Sequence, residues 1–324
     1  MAPSRTVVIL NPHSAGGRTG RQWQQIERRL TDVVGPFTTR QTEAPGHAIQ
    51  LAKDAVLEGF ERVLAVGGDG TVSEIVNGLL ESGRTSVTLG VVPRGTGSDF
   101  RRALGIPATL DGAIEVLRRD RCARIDLGRI RYTTQDRTSG QRYFCNLISF
   151  GLGGAVASRA SRSSKALGGK TAFVLSTAVT LLGHHNQNVE MIVDGCALPA
   201  AKVLHVAVGN GPYHGGGMWV CPGADLFDGL LNVTVIGDIS LGNIATRLPL
   251  LYNGRIYKHP QVRSLTARTL SARSDETVLI EVDGEPVGQL PIEIEVVPAA
   301  LQVIGDWGLA VSATPIPTLE PSIA

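Results

Sequence analysis

Gly67, Gly68, Asp69, Gly70 and Thr71 follow the apolar run VLAV and lead into the stretch VSEIVNGLL. Glycines without a Cβ let backbone N–H groups approach an anion, and a helix beginning near Thr71 adds unpaired N–H groups at its positive dipole end. Phosphate suits such a turn. Asp69 does not, because a carboxylate repels a phosphate unless a cation or a transferable proton stands between them. The acid therefore points to Mg2+ or to proton transfer, against the plainer reading of a helix cap in a glycine turn. A second turn of the same kind, VVPRGTGSDF at 91–100, carries Gly95, Thr96 and Asp99, and NPHSAGG at 11–17 adds Asn11 and Ser14. Far along the chain, EVDGEP at 281–286 sets Glu281, Asp283 and Glu285 around one glycine. An alcohol attacking phosphorus must give up its proton, and a carboxylate within hydrogen-bond reach can take it. The alternative at Asp283-Gly284 is a type I′ hairpin turn, which needs neither the following Glu nor the Pro.

Such turns need strands that end at a common edge. Over the first 125 residues, strand and helix signals alternate: TVVIL (6–10) as strand, RQWQQIERRL (21–30) as a helix with Trp23, Ile26 and Leu30 on one face, then HAIQLAKDAVLEGF (47–60) as helix. RVLAVGG (62–68) and VTLGVVP (87–93) read as strands, TVSEIVNGLLES (71–82) and LDGAIEVLRRD (110–120) as helices. Alternation of this kind predicts a doubly wound, mainly parallel α/β sheet, with the glycine turns lining one crevice at the carboxyl ends of neighbouring strands. After about residue 126 the period changes to two in VEMIVDG, KVLHVAVG, LLNVTVIG, TVLIEVDG and LPIEIEVVP, which predicts an antiparallel β-sandwich or barrel. One helical interruption falls at about 155–185. The expected organisation is an α/β nucleotide domain at 1–125, a β-sandwich substrate domain at 126–305, and a Pro-, Ser- and Thr-rich tail at 306–324 that is partly disordered.

Composition narrows the function. A formal net charge of +2 over 324 residues gives no general attraction to nucleic acid. The four cysteines lack CxxC spacing and the seven histidines lack ligand spacing, so neither a zinc site nor a disulfide framework is expected. His214 reads as a loop-packing residue. The start is too short in apolar residues for a signal-peptide core, and the apolar stretch 171–183 is too short to span a bilayer, which points to a cytoplasmic protein. Neither the GxGxxG dinucleotide motif nor the GxxxxGK[ST] phosphate loop stands at these turns, so a Rossmann dehydrogenase and a P-loop enzyme have no support.

The three turns together resemble the diacylglycerol-kinase catalytic family, in particular its soluble bacterial lipid kinases. NPHSAGG is similar to that family's first glycine-rich segment, GGDGTVSEIVNGL to its nucleotide loop and following helix, and PRGTGSDFRRALGIP to its P-x-GT-x-ND-F-A-R segment. GGGMWVCPGADLFDGLLNV and VDGEP extend the likeness through nearly the whole chain. Ser98 where Asn is usual, and Arg101-Arg102 where Ala-Arg is usual, depart from the pattern. The resemblance implies that Asn11, Ser14, Thr42, Gly67, Gly68, Asp69, Gly70, Thr71, Glu74, Gly95, Thr96 and Asp99 form an ATP site. It implies that Asp69, Asp99 and Asp126 hold or face a magnesium–water network, and that Asp225, Asp228 and the Leu230 carbonyl bind a structural cation. A polar hairpin turn at Asp228-Gly229 would need no metal. It places the base in VDGEP, with Asp283 first and Glu285 second, and Asp69 as the other candidate.

The implied activity is transfer of the γ-phosphoryl group of Mg-ATP to a lipid hydroxyl, diacylglycerol giving phosphatidic acid foremost. Other lipid alcohols, a NAD kinase-like phosphotransferase on a soluble substrate, and a catalytically idle nucleotide-binding regulator are the alternatives. Arg159, Arg162, Lys165 and Lys170 precede the apolar stretch 171–183, which either packs in the core or lies on an anionic membrane as a peripheral contact. The oligomeric state is not readable from the sequence, and a homodimer is one option.

Overall fold

The computed structural model describes residues 5–83, 86–95, 97–162, 179–180, 183–240 and 247–310. Thr96, Lys165, Lys170, most of the stretch 171–183 and the chain beyond 310 lie outside the described residues.

Strand β1 (Thr6–Leu10) is buried at all five residues, and β3 (Arg62–Gly67) at all but its first. Strands covered on both faces are apolar throughout instead of alternating, which is why these runs are readable. With β2 (Thr38–Gln41) and β4 (Thr88–Pro93) they form a parallel sheet in the order β2-β1-β3-β4. The connections carry α1 (Arg18–Arg21), α2 (Trp23–Val34), α3 (His47–Leu57), α4 (Asp69–Glu81), α5 (Asp99–Ala103) and α6 (Leu110–Arg119). Helices α2 and α6 pack together, as do α3 and α4, and the two pairs cover the sheet's two faces. Gly78 lets α3 and α4 approach: a Cβ there would stand 2.3 Å from the Ile49 carbonyl oxygen and 2.8 Å from Ala52 Cβ.

The second part contains β5 (Cys122–Thr133), β6 (Ser139–Phe144), β7 (Leu147–Gly151), α7 (Leu152–Arg162), β8 (Gln187–Val193), β9 (Cys196–Ala197), β10 (Ala201–Val203), β11 (His205–Gly209), β12 (Tyr213–His214) and β13 (Met218–Trp219). It continues with β14 (Leu231–Ile236), β15 (Val262–Ala267), β16 (Thr269–Arg273), β17 (Leu279–Val282) and the 20-residue β18 (Glu285–Ile304). One layer runs β15-β14-β11-β7-β17-β18, antiparallel throughout. The other is built by β10-β8-β16 with β5 and β6, also antiparallel. Along β8, Gln187, Val189 and Met191 are buried and the residues between them are exposed or half-buried, the expected half-buried strand. The architecture is an α/β unit joined to a β-sandwich. KVLHVAVG, read as one strand, is two: at Leu204 the backbone N–H donates to the Ile236 carbonyl, and the chain passes from β10 in one layer to β11 in the other.

Strand β18 unites the parts. It pairs with β17, shifts register between Gln289 and Ile292, then pairs with β16 and β5. Its last residues run parallel to β4, so Ala300, Leu301, Val303 and Ile304 join the core of the first sheet.

Candidate functional site

The turns after β1, β3 and β4 leave the sheet at one edge and are tied to each other by backbone. Asn11 N donates to the Val66 carbonyl (2.9 Å), Thr42 N to Leu10 (2.9 Å) and Arg94 N to Gly67 (2.6 Å). Asn11 Nδ2 donates to Thr71 Oγ1 at 2.9 Å, joining the first turn to α4. Gly68 and Gly95 face each other so closely that a Cβ on Gly95 would lie 2.8 Å from Gly68 Cα. Ser14 Oγ lies 2.7 Å from Thr19 Oγ1 and folds the first loop back on itself. Beside these turns is a cavity of about 310 Å3 flanked by Arg18, Gln22, Arg94 and Gly95. Burial, then the neighbouring Arg18, pushes the Arg94 guanidinium downward, as two cations forced together require.

Asp69 begins α4, and Asp99 begins α5. A Cβ on Gly97 would stand 3.1 Å from Asp69 Oδ2 and 3.9 Å from Asp99 Oδ2, so the two carboxylates flank that glycine. Burial, followed by repulsion from Asp99, pushes the Asp69 carboxyl upward. Asp99 accepts from Arg102 (2.6 Å) and from Gly216 N in the β12–β13 hairpin (2.8 Å), which closes the crevice from the second part of the molecule. Arg102, the arginine that the family pattern keeps, also donates to the Gly97 carbonyl at 2.7 Å and to the Gly216 carbonyl of the facing hairpin at 3.5 Å.

Other acids are placed differently from the expectation. Glu74 is not brought to the turns: its oxygens accept from Gly46 N (2.8 Å) and Ala48 N (3.1 Å), where a carboxylate caps the N-terminus of α3. Asp126 accepts from Gly229 N and Ala299 N, both at 2.7 Å, and so pins the 226–230 turn to β18. Asp225 and Asp228 accept from Phe227 N and Leu230 N, closing two local turns. Burial, then repulsion from Asp225 and Asp126, pushes the Asp228 carboxyl upward, and among the described residues no three His, Cys, Asp or Glu side chains form a metal cluster.

The facing wall is the β17–β18 hairpin. Asp283 and Gly284 both have positive φ, 49° and 87°, the geometry of the two-residue turn. Asp283 Oδ1 accepts from Asn146 N (3.0 Å) and Leu147 N (3.1 Å), and Oδ2 from Cys145 N (3.1 Å) and the Cys145 thiol (3.4 Å). A carboxylate offers about four lone-pair sites, and Asp283 has given them to the 145–147 segment that leads into β7. Glu285 differs: Arg142 binds its Oε2 at 2.8 Å, while Oε1 lies 3.1 Å from where a Cβ on Gly70 would be. Arg142 stands outside the motif segments, whereas Asn77 and Arg102 stand inside them without an assigned role. Asn77 lies on the buried face of α4 and pairs with the Tyr143 backbone across the crevice, its Nδ2 donating to the carbonyl (2.9 Å) and its Oδ1 accepting from N–H (2.8 Å).

Behind the hairpin, Glu281 is fully buried, accepting from Ser149 Oγ and Gly284 N at 2.6 Å, with His214 Nε2 3.6 Å away. His214, read as a packing residue, thus lies against the acid that holds the turn. Nearby, burial followed by the His214 and His184 rings pushes His205 down to about 3, and its Nδ1 accepts from Gly153 N at 3.2 Å. The folded state binds a proton at His205 less readily than the unfolded chain does. Stability is therefore full above the ordinary value of 6.5 and falls as pH drops from there toward 3, with a slope of about 1.4 kcal/mol per unit from this group. Urea unfolding of wild type and His205→Gln at pH 7 and pH 5 should show the variant losing less stability on acidification; equal losses would contradict this account of His205.

The comparisons with known proteins agree with this architecture. The family model described as diacylglycerol kinase catalytic domain matches residues 5–130, and that described as YegS C-terminal NAD kinase beta sandwich-like domain matches 146–305. A "Diacylglycerol kinase" of Mycobacterium tuberculosis is 30% identical over 258 residues, 79% of this chain and 81% of that protein. A "Probable lipid kinase YegS-like" of Xanthomonas oryzae pv. oryzae is 30% identical over 308 residues, covering 94% and 96%. Among solved structures, a diacylglycerol kinase from Bacillus anthracis superposes with a TM-score of 0.71 at 19% identity, over 95% of this chain and 99% of that one. An Archaeoglobus fulgidus NAD kinase in complex with ATP gives 0.51 at 13% identity, over 94% and 95%. The chain belongs to the diacylglycerol kinase family.

Proposed function

We propose that the protein transfers the γ-phosphoryl group of Mg-ATP to the hydroxyl of a lipid, most directly diacylglycerol, giving phosphatidic acid. The observation that carries this reading is the uncommitted Glu285 oxygen beside Gly70, at the start of the glycine-turn helix. Glycine turns that bind phosphate and a carboxylate that can take a proton share one crevice. In this reading Gly68, Gly95, Asn11 and Thr71 shape the phosphate cradle, and Arg18 and Arg94 lend it positive charge. Asp69 and Asp99, pressed together on either side of Gly97, fit a hard cation. Mg2+ held there with the nucleotide's phosphate oxygens would offset charge on the transferring group. The lipid oxygen attacks the γ-phosphorus, the bond to the bridging oxygen breaks, ADP departs, and the hydroxyl proton passes to Glu285 Oε1. Asp283, first choice from the sequence, acts here as the anchor of the turn.

The family names of the relatives favour a lipid acceptor over a soluble one. Among the described residues no helix is long and apolar enough to cross a membrane, so we propose contact with the lipid from the bilayer surface. Mg-ATP supplied with diacylglycerol vesicles or with NAD separates the two acceptors: phosphatidic acid without NADP is the expected product, and NADP alone would overturn the lipid reading.

A further inference from the structure

Arg142 projects from β6 into the junction between the two crevice walls. Its NH1 binds Glu285 Oε2 at 2.8 Å, and its NH2 donates to Ser73 Oγ on α4 at 3.4 Å. The side chain is largely buried, and burial alone would lower its pKa; Glu285 and then Asp283 outweigh burial and hold it raised. Glu285, by contrast, is only half-buried, with 41% of its side chain exposed, and a glutamate with that freedom has several rotamers of similar energy. An arginine that grips one oxygen of such a carboxylate selects among those rotamers and leaves the second oxygen to face Gly70. The strand that supplies Arg142 is itself fastened to α4 by the two Asn77–Tyr143 bonds, so the guanidinium and the glycine-turn helix move together.

We propose that Arg142 is a positioning residue for phosphoryl transfer: it fixes Glu285 against the N-terminal turn of α4 so that the free carboxylate oxygen meets the acceptor hydroxyl. The assignment rests on the kinase reading above. It implies that Arg142 acts through Glu285, and a double-mutant cycle in turnover reads that dependence. Arg142→Gln should lower kcat by roughly 30-fold or more with ATP affinity within about 2-fold, whereas the same change in a Glu285→Gln background should cost less than about 3-fold. Arg142→Lys keeps a charge without the planar fork and should recover only part of kcat. Equal losses in both backgrounds would overturn the proposal, since Arg142 would then act on substrate directly. So would a matching loss of ATP affinity, or a kcat loss in Arg142→Lys that tracks a fallen unfolding midpoint. A wild type inert toward every lipid would instead defeat the kinase reading itself, before any cycle is run.

Discussion

Gly68→Val is expected to abolish nucleotide binding while leaving most of the fold in place. Gly68 sits at φ −92° and ψ −176°, extended backbone that valine adopts readily, so the substitution adds no local strain. The obstacle is space. A bare Cβ would already stand 3.3 Å from Gly95 Cα, and the two γ-methyl groups of valine reach further into the gap between the turns. They would occupy the path by which phosphate oxygens approach the amides at the start of α4. ATP affinity should fall by at least about 100-fold, equivalent to about 2.7 kcal/mol. Isothermal titration with Mg-ATP, beside a thermal melt, measures both effects; wild-type affinity in the variant would remove the nucleotide from these turns.

Glu285→Gln should lower kcat by roughly 10²-fold or more, with ATP affinity and melting temperature near those of wild type. The amide keeps the volume and can still meet Arg142 through its oxygen, but it cannot accept the proton of the attacking hydroxyl. Asp283→Asn should behave in another way. Its carboxylate receives three backbone N–H groups and a thiol, and an amide nitrogen turned toward them would leave donors facing a donor. That costs about 1–3 kcal/mol for each buried group left without its partner, so the variant should lose stability along with activity. A fully active Glu285→Gln beside an Asp283→Asn that is inert yet equally stable would return the base to Asp283.

The contrast between those two acids marks the limit of what the sequence discloses. Strand β1, strand β3 and the glycine turns are legible because full burial demands apolar runs, and because close backbone approach, as between Gly68 and Gly95, demands glycine. Strand β2, with the sequence TTRQ, is a polar edge with no such signature. Which acid of EVDGEP is free could not be read locally. The donors that occupy Asp283 come from 145–147, more than 130 residues away, and the cation that holds Glu285 comes from 142. Glu74 illustrates the opposite error. It stands in the glycine-turn segment, but it serves α3, a partner 26 to 28 residues earlier in the chain. Arg102 stands in the PRGTGSDFRRALGIP segment, yet nothing local shows that it spans the crevice to the Gly216 carbonyl.

The central claim is that a phosphoryl group moves from ATP to a lipid alcohol in this crevice. Incubating the protein with γ-labelled ATP, Mg2+ and a mixed bacterial lipid extract, then separating organic from aqueous phases, tests it directly. Label should appear in the organic phase as a lipid phosphate monoester, grow with added diacylglycerol, and vanish with Gly68→Val. Label released only as inorganic phosphate, or retained on a water-soluble acceptor, would contradict it.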